Sequence, residues 1–228
     1  MMVVRWPYKT SNGHWPTNNE KVMQHPDDIL KPLLNSAKLP AYVERLQRVL
    51  EEEEVKRRDF YETVDDKRAE FILGEVIVHS PARLSHIVVL QNLEMIIVGF
   101  VKKNSRGMVL REQALIKMKR SDFMPDLAFW RKEISDTFKG DTEQFPAPDF
   151  ITEVLSPDTE KNDRGKKKEE YAVNGVKEYW IVDPDTKFIE QYLLQGEDYY
   201  LKEKLHHGTV RCEVLQGLEI ELKDFFDT

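Results

Sequence analysis

The spacing of hydrophobic positions changes several times along this chain, and each change marks an element. Up to about residue 38 no period is visible, and Pro, Asn and His dominate around Trp6-Pro7 and Trp15-Pro16. That pattern reads as an extended arm, residues 1–38, whose tryptophans would dock on the body or on a second subunit. From 40 to 58 the apolar residues Tyr42, Val43, Leu46, Val49 and Leu50 recur three and four apart, with charges between them. This predicts an amphipathic helix, with the run Glu51 to Glu54 as its solvated end.

From Glu70 the period shortens. Phe71 to Val78 predicts two strands or one bent strand, with Gly74 at the bend and Pro81 as the stop. Leu84 to Val98 is apolar nearly throughout and of helical length, which predicts a helix buried against a sheet. Strands are expected near Val109 to Met118, Met124 to Trp130 and Phe150 to Leu155, with a polar loop from Glu133 to Pro148. Asp158 or Thr159 could cap a helix from about Asp163 to Asn174, which Gly175 would end. Lys177 to Asp183 reads as a fourth strand, and three antiparallel strands follow near Phe188 to Leu194, Tyr199 to Lys204 and Val210 to Val214. The order helix, three strands, helix, strand predicts an α/β architecture: a mixed β-sheet flanked by helices, with an N-terminal extension.

Composition narrows the function classes. A chain of 228 residues, 40% hydrophobic, suits one domain beside the arm. The single cysteine, Cys212, can form no internal disulfide, so a reducing compartment is the default. No apolar run approaches the roughly 18 residues of a membrane span, and no apolar core follows Arg5 and Lys9 as in a signal peptide. The expected location is cytoplasmic. A net charge of −7 argues against a surface coated for indiscriminate nucleic-acid binding, while leaving room for a local basic groove. Of three basic clusters, Lys56-Arg57-Arg58 and Lys102-Lys103 with Arg106 read as solvated surface; the third, Lys161 to Lys168, lies close to candidate acids.

Those acids are Asp126 and Glu153. Asp126 follows Pro125 and opens the apolar run Leu127-Ala128-Phe129, so it is either a turn aspartate or an acid held at a buried strand end. Glu153 stands inside Phe150-Ile151-Thr152-Glu153-Val154-Leu155 and either faces solvent or is kept inside for a purpose. Strand ends that empty into loops are favoured ligand sites in α/β sheets. Lys167 is four residues before Tyr171, so the two share a helix face. A basic cluster at a helix start opposes the helix dipole, which makes a neighbouring anion expected. Two carboxylates that hold a divalent ion, with an ammonium beside them, are the equipment of a metal-dependent phosphodiesterase.

Together these residues resemble the Uma2 family, whose fold is PD-(D/E)XK nuclease-like. The resemblance is carried by Pro125-Asp126, Asp149 to Pro157, Asp163-Arg164-Gly165, Lys167, Tyr171, Gly175-Val176 and Glu178 to Pro184, with Glu70 to Glu75, Ser80-Pro81 and His86 upstream. It covers about Leu39 to Thr228. By resemblance, Asp126 and Glu153 bind Mg²⁺ or Mn²⁺, the carbonyl of Val154 is a further ligand, and Glu70 completes the site. The family's general pattern puts a lysine two residues after the second acid, where this chain has Leu155. The following helix supplies it instead, with Lys167 in the matching position and Lys168 as competitor. Glu75 reads as a hairpin residue; His86 reads equally as a packing histidine. The resemblance implies an endonuclease hydrolysing DNA; a homodimer is a separate expectation, because cutting two strands is simplest with two sites related by a two-fold axis. The alternatives are an inactive module that keeps the fold for binding or assembly, and a phosphodiesterase acting on RNA or a small nucleotide.

Overall fold

A computed structural model describes residues 26–63 and 68–226. The chain divides into two compact units, 1–51 and 52–228. In the first, α1 (Pro26–Leu34) precedes the start of α2 (Leu39–Thr63), and the division falls within α2. Residues 26–34 are therefore helical and not extended; Trp6, Trp15 and the rest of the arm to residue 25 lie outside the described residues. The helix expected at 40–58 is present and longer. Glu51 to Glu54 sit in its middle rather than at its end, and Glu53 grips Arg120 with both oxygens, at 2.6 and 3.0 Å.

The second unit continues with the hairpin β1 (Ala69–Ile72) and β2 (Glu75–Val78), which turns at Leu73-Gly74, both at positive φ. Next come α3 (Leu84–Lys103), β3 (Gly107–Arg111), β4 (Leu115–Lys117), β5 (Ser121–Phe123) and β6 (Leu127–Arg131). The chain goes on through α4 (Lys132–Ser135), β7 (Gln144–Phe145), β8 (Phe150–Val154), α5 (Glu160–Asn162), a π-helical turn at Asp163–Lys167, α6 (Lys168–Val173) and β9 (Glu178–Asp183). It closes with β10 (Phe188–Gln195), β11 (Asp198–Leu205), β12 (Thr209–Arg211), β13 (Glu219–Glu221) and α7 (Lys223–Phe226).

Six strands form the central sheet in the order β11-β10-β9-β8-β6-β3, with β8 and β9 parallel and the other pairs antiparallel. A second sheet runs β2-β1-β5-β4-β7. One strand expected from the sequence splits between these sheets and another is shortened. Val109 to Met118 becomes β3 and β4, and Met124 to Trp130 begins only at Leu127. Gly107 explains how β3 begins so close to β6. Its φ is +144°, and a Cβ there would lie 2.1 Å from the carbonyl oxygen of Trp130.

The central strands are buried on both faces, which is why they read as continuous apolar runs. On one face Leu127, Phe129, Phe150, Val154, Trp180 and Val182 meet α3, α7 and the β12–β13 pair. On the other, Ala128, Trp130, Ile151, Tyr179 and Ile181 meet Tyr171 of α6 and the second sheet. Helix α3 has 20 residues and is, by length and composition, apolar enough to cross a membrane, contrary to the expectation that no segment qualifies. His86, Gln91, Asn92 and Glu94 interrupt the run in sequence. Val89, Leu90, Leu93, Ile97 and Val101 are spent on the sheet.

Two ionic clusters, the first buried and the second half-exposed, fix the frame. Arg57 of α2 grips Asp122 of β5 with two bonds of 2.6 and 2.7 Å and also donates to the carbonyls of Met118 and Ser121. Asp149, just before β8, accepts from the Arg131 amide at 3.0 Å and from Lys177 at 2.7 Å, and it pairs with the Arg131 guanidinium. Asp149 thus ties β8 to both of its neighbours at one end. The site lies at the other end.

Candidate active site

The pairing of β6 with β8 brings the two predicted acids together. Leu127 is opposite Thr152, so one step outward Asp126 faces Glu153. Directly opposed residues share a sheet face. It is the face of Ala128 and Ile151, beneath the π turn and α6. The contact is direct: the Asp126 amide donates to Glu153 Oε2 at 3.2 Å, and the Val154 amide donates to Asp126 Oδ2 at 2.7 Å.

Lys167 completes the group. Its ammonium lies 3.0 Å from Glu153 Oε1, 3.1 Å from Glu70 Oε2 and 3.3 Å from Asp163 Oδ1, in a setting that leaves it 2% exposed. The π turn explains the reach. Such a turn adds a residue to the helical circuit, and here Asp163, Lys167 and Tyr171, at four-residue intervals, all face inward. Lys168 points elsewhere, its ammonium 3.6 Å above the Tyr192 ring, so it does not compete for the acids. Lys166 pairs at the surface with Glu75, which stands apart from the site.

Glu70 enters from β1. Its Oε1 accepts the Met124 amide at 2.9 Å, and its Oε2 lies 3.0 Å from His79 Nε2. Burial works to raise its pKa, but Lys167, His79 and the Met124 amide outweigh burial and hold it down to about 2. Glu153 behaves oppositely. Burial, reinforced by Asp163, Asp126 and Glu70, pushes its carboxyl well above the ordinary range in spite of Lys167. Burial also raises Asp163. Burial works against the Lys167 charge, yet the surrounding carboxylates prevail and hold its pKa well above that of a free lysine.

Three carboxylates, Glu70, Glu153 and Asp163, therefore converge on one ammonium, and Asp126 adjoins them through Glu153. Asp163 Oδ1 is buried with only the 3.3 Å approach of Lys167. A group of carboxylate oxygens that outnumbers its one cation fits a hard divalent ion. Asp126 keeps 14% of its side chain exposed, against 5% for Glu153 and 3% for Lys167, so the cleft opens over Asp126.

Several contributors were not assigned from sequence. From sequence Tyr171 had only a helix face shared with Lys167. It is fully buried and also donates to Glu153 Oε1 at 2.7 Å. Asp163 was signalled by the same four-residue interval that marks Lys167 and Tyr171. His79 carried no signal, because an isolated histidine in a loop has no period. His86 lies within 3.3 Å of Asp126 Oδ1. Burial works to lower the His86 pKa, but the hydrogen bond and charge of Asp126 raise it overall.

Comparison with known proteins bears on the family and the fold. The family model Uma2, described as "Putative restriction endonuclease", matches residues 54–223. Among solved structures, the chain resembles a crystal structure titled as a putative nuclease belonging to DUF820 from Anabaena variabilis. The TM-score is 0.61 at 20% sequence identity, covering 69% of this chain and 89% of that one. This likeness speaks for the fold. No curated protein matches the chain.

Proposed function

The chain belongs to the Uma2 family, and on that premise we propose that it is a divalent-metal-dependent endonuclease hydrolysing phosphodiester bonds of DNA. The observation that carries the reading is the meeting of Asp126 and Glu153 across the β6–β8 pair, with the Lys167 ammonium 3.0 Å from Glu153. Asp126 and Glu153 would hold Mg²⁺ or Mn²⁺, with the Val154 carbonyl as a further ligand. The ion, when bound, supplies Lewis-acid polarisation of a phosphate oxygen and a lowered pKa for water.

The chain's own groups do the rest. Lys167 stays protonated, so it serves as a fixed positive charge that orients water and stabilises negative charge growing on the phosphate, and not as a base. Glu70, tied to the Met124 amide, sets the position of that ammonium. Tyr171 holds Oε1 of Glu153 and leaves Oε2 turned toward Asp126. Arg83 and Ser80 at the mouth of the cleft are suited to backbone phosphates.

The test is incubation of purified protein with supercoiled, linear and single-stranded DNA, and with RNA, in Mg²⁺ or Mn²⁺. Asp126→Ala and Glu153→Ala are run beside it. Cleavage by wild type that both substitutions reduce by at least about 10²-fold is expected. Wild type and variants behaving alike on every substrate would end the catalytic reading. One feature favours a second reading, a nuclease fold kept for binding or assembly: Lys167 already closes Glu70, Glu153 and Asp163 into an ion-pair network. DNA retained in a filter or gel-shift assay without cleavage in any cation is the outcome that reading requires.

A further inference from the structure

Helix α2 keeps a stripe of apolar side chains in solvent. Leu39, Tyr42, Val43, Leu46, Val49 and Leu50 recur three and four apart, which gathers them within about 120° of the helix circumference. Tyr42, Val43, Leu46 and Leu50 are exposed, Leu46 by 59%, and none joins a core cluster. Helix α1 adds Ile29, Leu30 and Leu34, all exposed. Large apolar residues scattered singly over a surface are ordinary, whereas a contiguous stripe of them marks an interaction surface. Farther along the same face of α2, Glu53 pairs with Arg120, and Arg57 and Phe60 are buried. The face is thus occupied from Glu53 onward and open between Tyr42 and Leu50. The stripe also precedes residues 54–223, which match the family model, so it lies outside the family domain.

Charge, spacing and area say what covers it. Glu44, Arg45, Arg48, Glu51 and Glu52 all fall on the opposite side of the helix, and no charged residue interrupts the stripe from Leu39 to Leu50. An uncharged stripe can meet its own copy without opposing like charges, and it offers a charged partner nothing to pair with. Val43, Leu46 and Leu50 follow the alternation of three and four by which two like helices pack side chains into each other's gaps. The exposed half of the seven side chains amounts to on the order of 600 Å² per copy, or roughly 1,200 Å² for a pair, which reaches the range of specific interfaces. The competing cover is the chain's own residues 1–25. They contain Pro7 and Pro16 and show no apolar period that would match a helical stripe.

We propose that this apolar stripe of α1 and α2 is the surface through which two copies of the chain associate, in an isologous helix-to-helix contact centred on Leu46. A two-fold contact requires a self-complementary patch, and the uncharged stripe is one. The inference stands apart from the hydrolase reading, because no residue of the stripe belongs to the candidate active site. It assigns to a named surface the dimer that two-strand cleavage alone would only suggest.

The test needs no turnover. Full-length protein is followed by sedimentation equilibrium across the micromolar range, in EDTA and without nucleic acid. The double variant Leu46→Glu/Leu50→Glu sets acids against acids across the two-fold axis, while glutamate keeps the helix propensity of leucine. Arg48→Glu, on the opposite side of α2, is the control. Wild type is expected to be a dimer, and the double variant to associate more weakly by roughly a hundredfold or more. Its far-UV circular dichroism should be unchanged, and Arg48→Glu should remain dimeric. Should the double variant fail to fold, Val43→Lys decides, because Val43 is exposed and lysine suits a helix. A wild type monomeric throughout overturns the proposal; a melting temperature then lowered by Leu46→Glu would place the stripe under residues 1–25. A dimer that persists in the folded double variant overturns it as well, since its contacts lie elsewhere. A dimer dissolved by the double substitution in a protein that cleaves no nucleic acid supports the interface while the hydrolase reading fails. Cleavage by a monomeric wild type does the reverse.

Discussion

Lys167 is the residue on which most of the site depends, and its environment predicts what its loss would do. Removing one partner from a buried ionic cluster leaves uncompensated charge, which costs about 3–5 kcal/mol. Lys167→Met should therefore lower stability by that order in denaturant titrations run in EDTA, since Glu70, Glu153 and Asp163 would lose their shared cation. A melt indistinguishable from wild type would show that the carboxylates find protons or water without cost. Tyr171→Phe is a gentler probe. It removes the 2.7 Å bond to Glu153 and little volume, so a loss of about 1–3 kcal/mol is expected. The acids were legible residue by residue because a carboxylate inside an apolar run is costly without a purpose. His79 was not legible, since its role comes from neighbours distant in sequence.

At the scale of elements, the π turn and the start of β8 decide the geometry. Deleting Gly165 should convert Asp163–Lys167 to an α-helical path and rotate Lys167 away from Glu153. A folded deletion variant is expected to lose cation binding and any cleavage; full retention would show that the turn has no part in placing the lysine. The β8 start offers a pH test through Asp149. Burial works to raise this carboxyl, but the Lys177 ammonium and the Arg131 amide prevail and hold it below its ordinary value. A depressed acid stabilises the fold above its unfolded pKa, about 3.9, and that contribution fades as pH falls through the lower folded value. Wild type should thus be more stable than Asp149→Asn at pH 7, with the gap closing below about pH 4. A gap independent of pH would remove Asp149's charge from the account. The helix at Asp163 to Asn174 was predictable in extent from its Gly175 stop. Its π start was not, because one extra residue per turn leaves no mark on a short apolar pattern.

For the whole molecule, the prediction concerns how cation binding and folding are linked. A ligand that binds the folded state at about 100 times its Kd adds about 2.7 kcal/mol. Mn²⁺ should therefore raise the melting temperature relative to EDTA, and Glu153→Gln should reduce that rise; a melt unmoved by any divalent ion would count against the metal reading. Cleavage of both DNA strands is simplest with two sites related by a two-fold axis, so a dimeric mass in solution is the expectation that accompanies the endonuclease proposal. Sedimentation at micromolar concentration checks it, and a monomer would require sequential nicking.

The sequence alone determined the alternation of elements, the two acids at strand ends and the resemblance that links them. These are local properties: the period of apolar residues, the placement of Gly and Pro, and the cost of a charge in an apolar run. Only the tertiary structure decided that Lys167 and not Lys168 meets the acids, that Val109 to Met118 serves two sheets, and that His86 meets Asp126. Each of those outcomes turns on strand register, on the rotation of a helix about its axis or on the meeting of distant segments. Such quantities arise only when separate elements pack against one another.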